Sequence, residues 1–181
     1  MRQLFIRFCL LGAILTLGAC NNEEQEQPTV QGEAILDAFY AYDQSALAAQ
    51  TASASNQQLI LYYQAWAEAA HYAVVLRKPC VRDELEVVCA VTVTDDFGTA
   101  LGYQATDTFT FKFSAAGALQ DIGLAADDPP IFMELFAWME TQHPEILRGP
   151  CDKMFAGGDT PGECARAVAS AAKEFMAIRT P

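Results

Sequence analysis

The pattern of this chain predicts an α+β fold: N-terminal helices packed on a curved antiparallel sheet, followed by a C-terminal helical extension. Three observations carry the prediction. Apolar residues recur at helical spacing before Ala70, at a spacing of two between Tyr72 and Leu124, and at helical spacing again towards the end. The links between the alternating stretches are short, as an antiparallel meander requires. A length of 181 residues suits one domain.

Each element follows from its own residues. From Val30 to Ala49 the chain reads as one amphipathic helix with Ile35, Phe39, Tyr42 and Ala46 on a stripe. "TASAS" interrupts it. Ser55 with Gln58 has the form of a capping box, and a second helix follows with Leu59, Tyr62, Tyr63, Trp66 and Ala70 on its stripe. "HYAVVLRKPC" alternates, with Tyr72, Val74 and Leu76 on one face; Pro79 lacks a donor and marks a strand edge or end. "VRDE" reads as a turn. "LEVVCAVTVT" puts Leu85, Val87, Cys89, Val91 and Val93 on one face, and "DDFG" breaks the alternation. "TDTFTFKFS" is the clearest strand, setting Phe109, Phe111 and Phe113 against Thr108, Thr110 and Lys112. "AAG" turns the chain into a fourth strand, "ALQDIGLA".

The last third is helical. Asp128 is a cap, and Pro129 and Pro130 suit a helix entry. "IFMELFAWME" is apolar nearly all round and should be well buried; His143-Pro144 ends it. After the loop "RGPCDKMFAGGD", Thr160, Pro161 and Glu163 form a helix start, and Cys164, Val168, Ala171, Phe175 and Ile178 share a stripe.

The N-terminus reads as an export signal over residues 1–19. Arg2 and Arg7 precede "FCLLGAILTLGA", which falls short of the ~20 apolar residues a spanning helix needs. Leu17-Gly18-Ala19-Cys20 resembles the lipobox of bacterial lipoproteins. The resemblance implies cleavage after Ala19, a lipid on the Cys20 thiol and acylation of the new α-amino group, so that the chain meets the membrane through its anchor. Asn21 in place of aspartate implies, in a Gram-negative envelope, the outer membrane facing the periplasm. Residues 20–29 are polar, contain Pro28 and read as a flexible tether ahead of a domain spanning 30–181.

Without Arg2 and Arg7, nine of 11 Lys+Arg remain against 23 Asp+Glu, a net charge of −14. A surface so acidic excludes nucleic acid as a partner. With Cys9 removed and Cys20 acylated, Cys80, Cys89, Cys151 and Cys164 remain. An even number in an oxidising compartment points to two disulfides, and the wide spacings do not match the close pairs of a zinc site. Cys80 and Cys89 flank a turn between neighbouring strands; Cys151 and Cys164 bracket a Gly-rich loop. Local pairing within each set is the expectation. No metal and no cofactor are expected, since no metal loop, phosphate loop or dinucleotide fingerprint occurs.

Helices followed by "CVRDELEVVCAVTVTDDFGTALG…FTFKFSAAGALQDIGL" resemble the NTF2-like superfamily, which includes SnoaL-like domains. The resemblance covers Val30 to about Ala126. It implies a cone closed by helices on a sheet, with a cavity in which related enzymes move a proton beside a carbonyl. A lipocalin-like barrel would need more than four strands. The family's early β-hairpin is not found, and the tail from Ile131 is an addition to its plan. No residue maps onto a catalytic set, so no catalytic residue is assigned. The candidate pocket-lining residues are Tyr63, Trp66, His71, Tyr103 and Asp121; Asp107 reads as a strand-edge carboxylate.

Three functions fit this pattern. The first is a noncatalytic envelope domain that binds a small apolar ligand. The second is a periplasmic lyase or isomerase relying on His71 and Asp121. The third is an interaction module that dimerises or docks an envelope protein through the apolar "IFMELFAWM" segment.

Overall fold

The computed structural model describes residues 21–179, with side chains from Gln27 onward; the signal and Cys20 lie outside the described residues. Helices α1 (Asn21–Tyr40), α2 (Gln44–Gln50) and α3 (Gln57–Ala69) come first. Strands β1 (Ala73–Arg77), β2 (Val81–Asp83) and β3 (Glu86–Thr94) follow. Helix α4 (Asp96–Leu101) leads to β4 (Ala105–Phe113) and β5 (Leu119–Ala126). Helices α5 (Pro130–Gln142), α6 (Pro144–Arg148) and α7 (Pro161–Arg179) complete the α+β plan.

The five strands form one antiparallel sheet in the order β1-β3-β4-β5, with β2 also paired to β3. β1 and β2 lie end to end along β3, since Arg77 opposes Val91 and Val81 opposes Val88. The alternation read from β3 and β4 holds. Val87, Cys89, Val91 and Val93 are buried, as are Phe109, Phe111 and Phe113. Across the ladder Cys89 faces Phe109 and Val87 faces Phe111. Burying one such side chain stabilises by ~1.5–3 kcal/mol.

α1 covers this inner face with Ile35, Leu36 and Phe39. Gly32 lets it come close: a Cβ there would meet Val87 Cγ1 at 3.0 Å and Phe111 Cδ2 at 3.2 Å. Arg77 ties α1 to β1, pairing with Glu33 and with Asp37 at 2.6 Å.

α3 serves two cores. Ile60 and Ala67 belong to the core between helices and sheet. Tyr62 and Trp66 belong to a second core with Phe97 of α4, Leu135 and Met139 of α5, and Val168 and Ala172 of α7. The C-terminal helices therefore extend the fold from α3 and α4.

Cys80 is bonded to Cys89 and Cys151 to Cys164, with Cα–Cα distances of 4.3 and 4.7 Å. These are the expected pairings. The first bridges the joint between β1 and β2 to the strand beside them. Two disulfides accord with an oxidising, extracytoplasmic setting. Among the described residues no helix is long and apolar enough to cross a membrane.

Several local expectations are corrected. The helix expected from Val30 to Ala49 is two helices, broken at Tyr42, which takes a φ of 57°. Asp43 caps α2 by accepting from Ala46 N at 2.9 Å. α1 begins at Asn21, so the polar residues read as a tether are helical from there to Thr29; glutamate and glutamine are good helix formers. "VRDE" contains β2, and the turn falls on Glu84 and Leu85. "DDFG" starts α4, which Asp95 caps by accepting from Gly98 N at 2.6 Å.

The cap expected at Ser55 falls one residue later, on Asn56, whereas Thr160 stands where expected, directly before α7, with its carbonyl accepting from Cys164 N at 3.0 Å. Ser55 N donates to Gln120 O at 2.9 Å. Asn56 occupies the α3 cap position, but its side chain bonds Ile122 O at 2.7 Å and Ile122 N at 3.1 Å. The α2–α3 loop thus satisfies the outer edge of β5. Thr160 Oγ1 donates to Pro150 O at 2.8 Å, holding the disulfide loop.

The apolar face of β1 is also not buried. Val74 and Leu76 are 45% and 53% exposed on an edge strand with a bulge between them. α5 buries Leu135 and Met139 fully and leaves Met133 66% exposed. α7, α6 and Phe97 of α4 each meet part of its surface, so one stripe is buried rather than all sides.

Candidate functional site

The alternation of β4 does not stop at Phe109. Two residues earlier the same inner face carries Asp107, which is 5% exposed. The end of α1 supplies its donor, Tyr40 Oη, at 2.9 Å from Asp107 Oδ2. Burial pushes the Asp107 carboxyl up to about 7; the Tyr40 hydrogen bond opposes this, and the charges of Asp128, Asp95 and Asp127 reinforce it.

The neighbouring acids are positioned by the chain's exits from helix and strand. Asp128, between β5 and α5, accepts from Tyr103 Oη at 3.1 Å. Its carboxyl is raised by burial, with the Tyr103 bond opposing. Asp127 Oδ1 accepts from Thr106 N at 2.5 Å and fixes the end of β5 against β4. Asp95 is raised to about 6 by burial, against the bond from Gly98 N. The phenols of Tyr40, Tyr63, Tyr72 and Tyr103 are all raised by burial, so they remain protonated donors.

Between these groups lies a cavity of about 140 Å³. Asp107 and Asp128 line it. Trp66 and Tyr63 reach it from α3, Phe97 from α4 and Phe132 from α5. Phe155 arrives from the loop closed by the second disulfide, stacking on Tyr63 at 4.5 Å and meeting Trp66 at 4.9 Å. Ala125 and Ala126 are exposed on β5 and form a rim where the cavity meets solvent. A wider groove of about 440 Å³ lies along α3 near Gly157 and Pro161, but its one carboxylate, Asp159, is exposed.

The expected pocket residues divide. Tyr63 and Trp66 are on the wall. Tyr103 is not on it but holds Asp128, which is. His71 is a correction: it takes a φ of 54° after α3, its side chain is 76% exposed, and it pairs with Asp96 at 2.8 Å. Asp121 is another: it opposes Lys112 in the ladder, next to inward-facing Ile122, so the strand's alternation turns it away from the cavity. His71 and Asp121 are not brought together. Asp128 does not cap α5, whose N-cap is Pro129.

Asp107 was legible in principle, since it shares parity with Phe109, Phe111 and Phe113. Tyr40 and Phe155 reach the site from distant segments and carry no local signal. Among the described residues no group of three or more His, Cys, Asp or Glu side chains is placed to hold a metal ion. Comparison with protein-family models, curated proteins and solved structures found no match.

Proposed function

We propose that this chain is a lipid-anchored cell-envelope protein whose NTF2-like domain binds a small, largely apolar ligand beside Asp107 without transforming it. The cavity of about 140 Å³ carries this reading. Its size is close to the ~150 Å³ that suffices to hold benzene in an apolar core. Mostly aromatic walls with a few fixed polar groups are the usual make-up of small-molecule sites. Helices α1 and α3 packed over the inner face of a meander support the NTF2-like assignment.

The binding reading is tested by titrating benzyl alcohol into the full chain in detergent, followed by saturation-transfer NMR. Saturable binding is expected, and it should be lost in Ala125→Trp, which plugs the exposed rim. Absence of saturable binding overturns the reading. The lipobox supports the anchor, in the outer membrane of a Gram-negative envelope. Cys20→Ser should abolish metabolic lipid labelling; labelling that persists overturns the anchor.

A second reading has its own observation. A carboxyl raised to about 7 beside phenolic donors suits proton transfer at neutral pH, as in a SnoaL-like lyase or isomerase. Asp107 would be the proton acceptor in place of His71 and Asp121, the candidates that motivated an enzyme reading of the sequence. Incubating the protein with cyclohexanone in D₂O tests it. Deuterium entering the α-carbon faster than in Asp107→Asn supports catalysis, and equal rates exclude it for this ketone.

A further inference from the structure

The cavity's ionisable lining is of one sign. It includes Asp107 and Asp128 and no lysine, arginine or histidine. Among the described residues Tyr40 is the donor that reaches the Asp107 carboxylate, and it does so on Oδ2. A carboxylate buried to this extent is costly to keep ionised unless a cation or further donors meet it. The aromatic lining is an independent observation: Tyr63, Trp66, Phe97, Phe132 and Phe155 all border the cavity. Trp66 lies 4.9 Å from Phe155 and 5.9 Å from Phe97 between centroids, and Phe97 lies 5.5 Å from Phe132. Aromatic faces carry negative potential and attract a cation in a desolvated site.

The alternatives fare worse. An anionic ligand would meet two carboxylates and no counter-charge. A purely apolar one would leave Asp107 with Tyr40 alone. An inorganic cation would lack a third ligating side chain among the described residues.

From these two observations we propose that the cavity takes a small organic cation, an ammonium group on a compact apolar body, with its charge against Asp107 and Asp128 and its body against Trp66, Phe97 and Phe155. This rests on the cavity being a ligand site.

The test compares choline with its neutral isostere 3,3-dimethylbutan-1-ol, which has the same shape without the charge. Both are titrated calorimetrically into the full chain in detergent. Choline should bind at least about tenfold more tightly than the alcohol, since a desolvated cation–aromatic contact and a carboxylate both discriminate charge. Asp107→Asn keeps the shape and the Tyr40 contact; in it the preference of choline over the alcohol should fall to about twofold or less. Asp128→Asn should reduce the preference in the same direction. Thermal melts confirm that both variants are folded.

If the alcohol binds as well as choline, the cation is overturned and the ligand site stands. A choline preference that survives in Asp107→Asn overturns the assignment of the charge to that carboxylate. If neither compound binds, nor benzyl alcohol, the ligand site falls with it.

Discussion

The hydroxyl of Tyr40, the last residue of α1, donates to Oδ2 of Asp107 on β4 across 67 residues of sequence, at 2.9 Å. The bond fastens the first helix to the sheet beside the cavity and gives a buried carboxylate a fixed donor. Tyr40→Phe should destabilise the fold by about 1–3 kcal/mol near pH 8, where Asp107 is ionised, and by less near pH 5. Urea unfolding at the two pH values checks this. An equal loss at both would show that the bond does not depend on the charge of Asp107.

The pH dependence of stability follows from the same residue. Asp107 goes from an ordinary value of 3.8 to about 7 in the fold, so the folded state holds its proton more tightly than the unfolded chain does. The stability this gives is fully present below about pH 4 and is lost as pH rises through about 7. Asp95, raised to about 6, acts in the same direction. The groups acting on Asp107 are Tyr40 from α1, Asp95 from the cap of α4, and Asp127 and Asp128 after β5. Asp107→Asn should therefore flatten the fall in stability between about pH 4 and pH 7 and gain about 2–4 kcal/mol near pH 8. Unfolding curves across that range measure it, and a variant that declines as steeply as the parent contradicts the assignment.

The two disulfides should separate in their effect on binding. Replacing either pair with alanine should cost roughly 2–3 kcal/mol through loop entropy in the unfolded chain. The Cys151–Cys164 bridge also closes the loop that delivers Phe155 to Tyr63 and Trp66. Its removal should weaken ligand affinity, whereas removal of Cys80–Cys89 should leave affinity unchanged. Calorimetric titration of both double variants at a temperature where each is folded decides the point.

The orientation of α5 predicts opposite outcomes for residues two apart. Met133→Glu should change stability by no more than about 0.5 kcal/mol, because the side chain is largely exposed. Leu135→Ala should cost about 2–5 kcal/mol, because it leaves a hole in a fully buried site. Denaturant midpoints of the two variants report this, and comparable losses would mean that α5 buries another face.

His71 makes a solvent-exposed pair with Asp96. His71→Ala should cost about 1 kcal/mol or less and leave ligand binding intact. A lost ligand response would place His71 in the site.

Much of the architecture was legible because it is written in local period and covalent chemistry. A side chain every second residue on β3 and β4 must share a face, so the Val and Phe rows could be read before any contact was known. Cysteines that flank short loops are brought together by the elements on either side, so Cys80–Cys89 and Cys151–Cys164 followed from spacing. Polar and apolar partners that meet across the fold left no such trace. Ser55 looks like a helix cap, yet Asn56 takes that position and turns its side chain to Ile122 of β5, and the Thr160 hydroxyl ahead of α7 goes to Pro150 O, because packing brings those groups within reach. "IFMELFAWME" is apolar nearly all round, and it is the helices packed against α5 that select Leu135 and Met139 for burial. The parity of β4 could have turned Asp107 inward on paper, but its partner Tyr40 and its neighbours Asp128 and Phe155 come from elements far apart in the chain. Period and loop length are properties of neighbouring residues; the environment of a buried carboxylate is a property of whichever segments pack around it, and only the tertiary structure brings those together.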